Sequence, residues 1–410
     1  MSAPEAAPPP LKNPFLVIFT LGALSTISPF AIDMYLPAFG QIASDFGTTT
    51  AEVGLSLSTY FAGMALGPLI YGPLLDRYGR KMPLYVGLAL FVLTSIGCVF
   101  APNIEVLVWL RLFQALGGCA ASVAAMSLVR DLFPPKDTAK IISLIILTIG
   151  VSPLLAPTIG GVVAAWLDWH WVFAFLAGIV GLILILVLTV LPDGKPADPT
   201  VSLKPLPILK TFLSIYRNRT FATYLFAGGF SFCCLFIYVS GSPVIFMEIF
   251  HIKPEIYGLI FAGLSVGFIG SSQVNVFVNR RYTSKQILRV ALSVQCVFVL
   301  IFLLCAWNNW LNVWGAVVML FLILSCLGFI GPNSSATAIS SLTRDIGSGS
   351  ALMSFTQIGL ATVVSAVVSG LKAQSLTPIV AVMALCALIG WVVLYFGEKT
   401  GVERQGQIQP

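Results

Sequence analysis

The sequence predicts an all-α membrane protein of twelve transmembrane helices in two pseudo-symmetric six-helix bundles. Three observations carry this. The 410 residues are 58% hydrophobic and only 9% charged, where a soluble chain has about 25% charged residues. Twelve apolar runs are each long enough to cross a bilayer, which takes about 17–25 residues. Lys and Arg also fall almost entirely into alternate connections: 19 of the 22 lie on one side, Lys253 and Lys372 lie on the other, and Arg111 sits inside a span. Continuous apolar runs, rather than strands of alternating polarity, exclude a transmembrane barrel.

Taken in order, residues 1–13 are Pro-rich and lack a cationic leader and a small-residue cleavage site. They are expected to be a disordered cytoplasmic tail, not a signal peptide. The spans fall at 14–39, 53–75, 82–101, 104–129, 139–166 and 170–191, then at 220–247, 256–278, 286–306, 310–340, 347–371 and 376–397. Internal prolines such as Pro153 and Pro157 are tolerated because neighbouring helices satisfy the freed backbone groups. The connection 192–219 is rich in Pro, Lys and Asp. It separates a first bundle, 14–191, from a second, 220–397, and 398–410 forms a closing cytoplasmic tail. The cation bias places both termini in the cytoplasm. The net charge of +6 therefore belongs to loops and is not a nucleic-acid footprint. The eight cysteines all lie in apolar runs without paired spacing and read as small buried hydrophobes, not as metal ligands or disulfides.

A faint repeat relates the halves. LVRDL (128–132) closes span four and LTRDI (342–346) closes span ten, with Arg130 and Arg344 separated by 214 residues. Two parallel repeats about the membrane normal give this pattern, and so do two unrelated helix ends.

Span one contains SPFAIDMYLPAF (28–39), and its Asp33 is the one carboxylate placed within a span. A charge at the bilayer centre costs about 2.5–3.5 kcal/mol, which makes such a residue a functional candidate. Asp33 is either a solvated or capping group near the outer end or the protonatable group of a transport cycle. Arg111 in RLFQALGGCAAS is the one intramembrane base. Counted from the outer helix ends, both residues lie roughly 9–12 Å deep. Arg111 is thus expected to share the depth of Asp33 and to tune its proton affinity; the alternative is a snorkelling side chain.

The loop after span two reads Gly72-Pro-Leu-Leu-Asp76-Arg77-Tyr-Gly79-Arg80-Lys81. Gly72 suits close helix approach and Gly79 suits a tight turn. Asp76 among three cations suits a charge-assisted network. Span five carries Gly150-Val-Ser-Pro153-Leu-Leu-Ala156-Pro157-Thr-Ile-Gly160-Gly161, dense in residues that bend a helix and let it pack closely.

These stretches resemble the major facilitator superfamily. The loop matches its G-x-L-x-D-R-x-G-R-[KR] signature, with Leu75 in place of the usual small residue. The resemblance implies a cytoplasmic latch favouring the outward-open state. In that latch Asp76 docks at the helix start near Gly347–Ser348, and Arg80 pairs with Asp131. The R-x-x-Q of Arg111 and Gln114, followed by Ala115, resembles the family's span-four motif. The span-five stretch resembles the pattern of its exporters, with Ala156 in place of a Gly, which favours drug/proton antiport over uptake. AIDMYLPAF, APTIGG, WLDWHWVF (166–173) and GGFSF (228–232) together resemble the bicyclomycin-resistance (Bcr/CflA) drug exporters along essentially the whole chain. The Trp cluster around His170 is read as an interfacial aromatic belt.

A substrate cavity is expected at the midplane between the halves, lined from Phe30, Met34, Tyr60, Gln114, Phe232, Phe236, Tyr238, Asn333 and Gln357. No nucleotide-binding loop, metal spacing or nucleophile triad is present, so the chain is read as no enzyme and as needing no cofactor. The expected function is a proton-coupled multidrug exporter in a bacterial inner membrane. It would act as a monomer on small-molecule drugs and protons within the lipid bilayer, with no nucleic-acid partner. A metabolite exporter for sugars, amino acids or siderophores shares every motif. The span-five pattern argues against an uptake symporter, and the lack of a second intramembrane carboxylate or His argues against an intramembrane enzyme.

Overall fold

The computed structural model describes residues 13–201, 205–342 and 346–405; Lys12 and the Arg344 half of the repeat lie outside them. Helix α1 (Pro14–Asp33) opens with Pro14 in its first turn and with the Asn13 side chain accepting the Leu16 N–H. It stops at Asp33. Pro37 has no N–H to offer the Asp33 carbonyl one turn back. The chain instead makes a 3₁₀ turn, Leu36–Ala38, and resumes as α2 (Phe39–Asp45). Span one is therefore a broken helix reaching Asp45, six residues beyond the expected end.

The first half continues with α3 (Thr50–Arg77), α4 (Lys81–Val99), α5 (Ile104–Leu132), α6 (Pro135–Trp166) and α7 (Trp169–Val190). The connection between the halves holds a helix that composition did not announce, α8 (Pro205–Tyr216). Ile215 of α8 is buried and the Tyr216 hydroxyl bonds Thr356. The second half comprises α9 (Arg219–Pro243), extended by a π-helical turn at Val244–Ile249, then α10 (Pro254–Val278), α11 (Ser284–Trp307), α12 (Val313–Ser340), α13 (Ile346–Gly370) and α14 (Leu376–Gln405). Asn103, Asn218 and Asn312 cap α5, α9 and α12 by accepting N–H groups of the first turn. Among the described residues, twelve helices are long and apolar enough to cross a membrane, and no strand is present.

Within each half, small residues bring backbones together, as expected where lipid removes the hydrophobic drive between helices. A Cβ on Gly63 of α3 would lie 2.6 Å from the Leu112 carbonyl of α5, and one on Gly328 of α12 would lie 2.6 Å from the Phe268 carbonyl of α10.

The halves meet at the cation-poor face. There α6 packs on α10, with Gly161 against the Pro254 carbonyl and Gly258 against that of Pro157. Nearby α3 packs on α13, where the Ser58 and Ser365 hydroxyls are 2.9 Å apart. Lys372 pairs with Glu52 at 2.9 Å, and Thr50 bonds Glu248. Toward the cation-rich face, a Cβ on Gly72 or Gly347 would meet nothing within 4 Å. Gly72 was expected to permit close helix approach; no helix approaches it here.

In α6, Gly160 is the tightest glycine among the described residues, because a Cβ there would lie 1.8 Å from the Met34 carbonyl. Gly150, on the same helix, has 3.7 Å of room. Gly160→Ala is expected to lower the thermal midpoint of the purified protein by the equivalent of about 1–3 kcal/mol of overpacking, and Gly150→Ala to leave it within experimental scatter. Equal midpoints would show that α6 moves off α1 without cost.

Candidate functional site

Asp33 sits at the break of α1 and is buried, with 6% of its surface exposed. Among the described residues no cation compensates its carboxylate. Its charge lies within electrostatic reach of the Tyr238 and Tyr257 hydroxyls of the second half. The expected pairing with Arg111 is not made.

Arg111 is fully buried on α5 and finds other acceptors for its Nη groups. Its Nη2 donates to the Ala31 carbonyl at 2.9 Å, and its Nη1 to Gln114 Oε1 at 2.5 Å. Its guanidinium lies 4.5 Å from the Tyr35 ring centre, 4.2 Å from that of Tyr60 and 5.7 Å from that of Phe173, all within cation–π range. Gln114 is fixed in turn by its Nε2 donating to Ser95 Oγ at 2.6 Å. Tyr35 bonds the Ser56 hydroxyl and the Val53 carbonyl of α3. This is a closed cage of first-half residues, and it leaves Asp33 outside.

The candidate cavity residues divide. Phe236 bridges the halves, its ring edge-on to Phe61 of α3 at 4.8 Å, with Phe232 behind it at 5.6 Å. Tyr238 stacks on Phe261 at 5.1 Å. Gln357 packs its stem near Gly229 on α9. Of these, Phe236 meets the first half, while the contacts of Phe232, Tyr238 and Gln357 are made within the second. Tyr60 and Gln114 belong to the Arg111 cage, and Met34 is buried against Gly160. Asn333 is buried with its Nδ2 donating to Asn275 Oδ1 at 2.7 Å, which locks α12 to α10. Phe30 does not join the residues between the halves. It lines an outer groove against α7 with Leu176, Ile179 and Ile183, because it continues the Ala23, Ile27 stripe of α1 that packs on that helix.

Tyr257, Phe61 and Asn275 were absent from the sequence reading. Asn275, a polar residue inside an apolar run, is the one that carried a visible signal. The aromatic belt also needs revision. Trp166 and Trp171 are exposed, but Trp169 points inward and donates to Asp45 at 2.6 Å, with His170 stacked on it.

The loop after α3 is a tied network. Gly79 adopts a positive φ of 79° that a side chain would strain. Arg80, 9% exposed, donates to Asp131 at 2.7 Å and to Asp76 at 2.6 Å. Asp131 also accepts the Lys195 N–H, and Lys81 pairs with Asp193 at 2.8 Å. Arg77 donates to the Val201 carbonyl, and the Asp198 N–H to the Asp76 carbonyl. The start of the inter-half connection is thus fastened to this loop. Asp76 does not dock near Gly347–Ser348: its side chain is 54% exposed, and Gly347 borders open space.

Asp131 is 14% exposed, against 54% for Asp76. Asp131→Ala should therefore lower the thermal midpoint by the equivalent of about 1.5–3 kcal/mol, the cost of a lost bond to a charged group, and Asp76→Ala by clearly less because water screens it. Equal losses would assign the anchoring to Asp76. Arg111→Lys keeps the charge but not the planar fork. Its transport is expected to fall as far as that of Arg111→Gln, and a Lys variant working at the wild-type rate would show that charge alone suffices.

The family model described as the Major Facilitator Superfamily matches residues 21–366. A bicyclomycin resistance protein homolog of Haemophilus influenzae is 28% identical over 400 residues, covering 96% of this chain and 99% of the relative. The multidrug resistance protein MdtL of Escherichia coli is 32% identical over 240 residues, covering 58% of this chain and 60% of MdtL. Among solved structures, a bacterial homolog of the human lysosomal transporter Spinster, in an inward-facing and occupied conformation, superposes with a TM-score of 0.73 at 14% identity, covering 94% of this chain and 96% of that one. With twelve membrane-crossing helices in two facing halves and a family match over most of its length, the chain belongs to the Major Facilitator Superfamily of membrane transporters.

Proposed function

We propose that the protein exports drugs from the cytoplasm in exchange for protons, as a monomer in a bacterial inner membrane with both termini cytoplasmic. The observation that carries this reading is Asp33: a buried carboxylate without a cation, at a helix break and within electrostatic reach of Tyr238 and Tyr257 of the opposite half. The printed names of the relatives, a bicyclomycin resistance protein homolog and a multidrug resistance protein, support drugs as the substrate class. Discontinuous helices at corresponding places of the two halves mark transporter binding sites, and α1 and α9 are both interrupted toward the cation-poor face.

The cycle follows from competition for one site. With Asp33 ionised and the halves open toward the cation-rich face, a neutral or cationic drug enters among Phe61, Phe232, Phe236 and Tyr238. The contacts between α3 and α13 and between α6 and α10 then release, and the opposite face opens. A proton arriving there neutralises Asp33 and removes its attraction for the drug, and the protonated form returns. Arg111 holds α1 in register rather than pairing with Asp33. A gradient supplies the driving force, about 2.3 kcal/mol per charge per 100 mV, and no cofactor is required.

The test is efflux of a fluorescent monocation from proteoliposomes under an imposed proton gradient. Wild type is expected to extrude the dye, and Asp33→Asn, which mimics the protonated carboxyl, to bind it more weakly and not to extrude it. Extrusion by the variant at the wild-type rate would move proton coupling elsewhere. A folded wild type that moves no dye would favour a narrower metabolite exporter. One carboxylate implies one proton, so export of a monocation should be electroneutral. Export driven by membrane potential alone would contradict that.

A further inference from the structure

The two halves treat equivalent loops differently. After the second span of the first half, Arg77, Arg80 and Lys81 are all engaged, by the Val201 carbonyl, by Asp76 and Asp131, and by Asp193. After the second span of the second half come Arg280, Arg281 and Lys285, all exposed. Among the described residues no carboxylate pairs with any of them. Arg280 lies over the Phe277 ring and Lys285 over that of Tyr224. The neighbouring acid, Glu398, is held by Arg289 at 2.8 Å.

Beside these bare cations runs an apolar groove of about 560 Å³ between α10, α11 and α12. It begins at Tyr282 and Gln286, at the cation-rich face, and ends at Phe298. Twelve residues of α11 separate Gln286 from Phe298, about 18 Å of helix, close to the depth of one leaflet at about 15 Å. Its rim is laterally open, with Val290 64% exposed and Tyr282 58% exposed.

We propose that this groove binds an anionic phospholipid of the cation-rich leaflet. One acyl chain would lie along Val290, Val294 and Phe298, and the phosphate would sit at Arg281, next to the rim residue Tyr282, with Lys285 adding charge to the same loop. The groove matches a lipid chain in depth and polarity, and the cations at its mouth match a headgroup of net negative charge. A zwitterionic lipid would bring its own cation into a site that has no carboxylate to receive it. The lipid would supply to the second half the counter-charge that Asp76, Asp131 and Asp193 supply to the first.

Native mass spectrometry of the full chain, titrated separately with phosphatidylglycerol and phosphatidylcholine, tests this. Wild type is expected to retain one phosphatidylglycerol in clear preference to phosphatidylcholine. Arg281→Gln combined with Lys285→Gln should weaken that binding about thirtyfold, the effect of two cations near a membrane surface, and Arg77→Gln should leave it unchanged. Val290→Trp, at an exposed position that does not threaten folding, should displace the chain and lower retention with both cations intact. Equal binding of the two lipids, or wild-type retention by either the double variant or Val290→Trp, would overturn the proposal.

Discussion

The first half depends on a guanidinium held by a backbone carbonyl, an amide and aromatic rings rather than by a carboxylate. An Arg in the bilayer costs about 2.5–3.5 kcal/mol to insert. Two hydrogen bonds from a charged donor return about 1.5–3 kcal/mol each, and the rings around Arg111 add cation–π attraction. The charge of Arg111 is therefore met without Asp33. Its Nε is buried with no acceptor, consistent with rings rather than polar groups on that side. Because Nη2 takes the Ala31 carbonyl, the last turn of α1 is fixed to α5, and the next carboxylate along the chain is left for the other half to meet.

The contacts that close the cation-poor face are of a kind that can be undone. Lys372 and Glu52 form an exposed pair, 61% and 39% exposed, and such pairs stabilise little against water. Ser58 with Ser365 and Thr50 with Glu248 exchange one hydrogen bond for another when they part. The remainder is close packing at Gly161 and Gly258, which two faces can make and break as rigid bodies. A transporter needs its two states within a few kcal/mol of each other, and strong ion pairs across this face would defeat that.

The span count, the division into halves, the side bearing the cations and the Arg80–Asp131 pair were all legible in the sequence, because each depends on composition along the chain or on a long motif. What faces what was not. Phe30 and Asp33 are three residues apart, yet one packs on α7 and the other lies within electrostatic reach of the second half. Asp33 and Arg111 occupy similar depths, but depth does not give the direction of a side chain around a helix. Met34 was read as cavity lining because Met is adaptable, whereas its backbone is the feature that matters, pressed on Gly160. Tyr257 escaped notice because a Tyr near the end of a span ordinarily marks the membrane interface, and only the packing of α10 on α6 turns it inward. The contact of Asp76 near Gly347–Ser348 that the motif implied is not made here, and a motif does not say in which conformation a contact forms.

Gly160 and Gly161 are adjacent, yet they touch different halves. The first abuts the Met34 carbonyl, one residue beyond Asp33, and the second abuts the Pro254 carbonyl at the start of α10. Three residues into α10, Tyr257 donates to or accepts from Ser242 of α9 at 2.8 Å and lies within the electrostatic reach of Asp33. Asp33, the α1 break, α6 and the start of α10 thus form one closed mechanical loop that passes through both halves. Gly160 admits no larger residue without moving α1, and a Cβ on Gly161 would need the Pro254 carbonyl to give by a few tenths of an ångström, which gives a physical reason for the Pro-x-x-Gly-Gly stretch of α6. Asp33 and the seam between α6 and α10 are therefore neighbours, joined by the packing of the Met34 carbonyl on Gly160 and of the Pro254 carbonyl on Gly161.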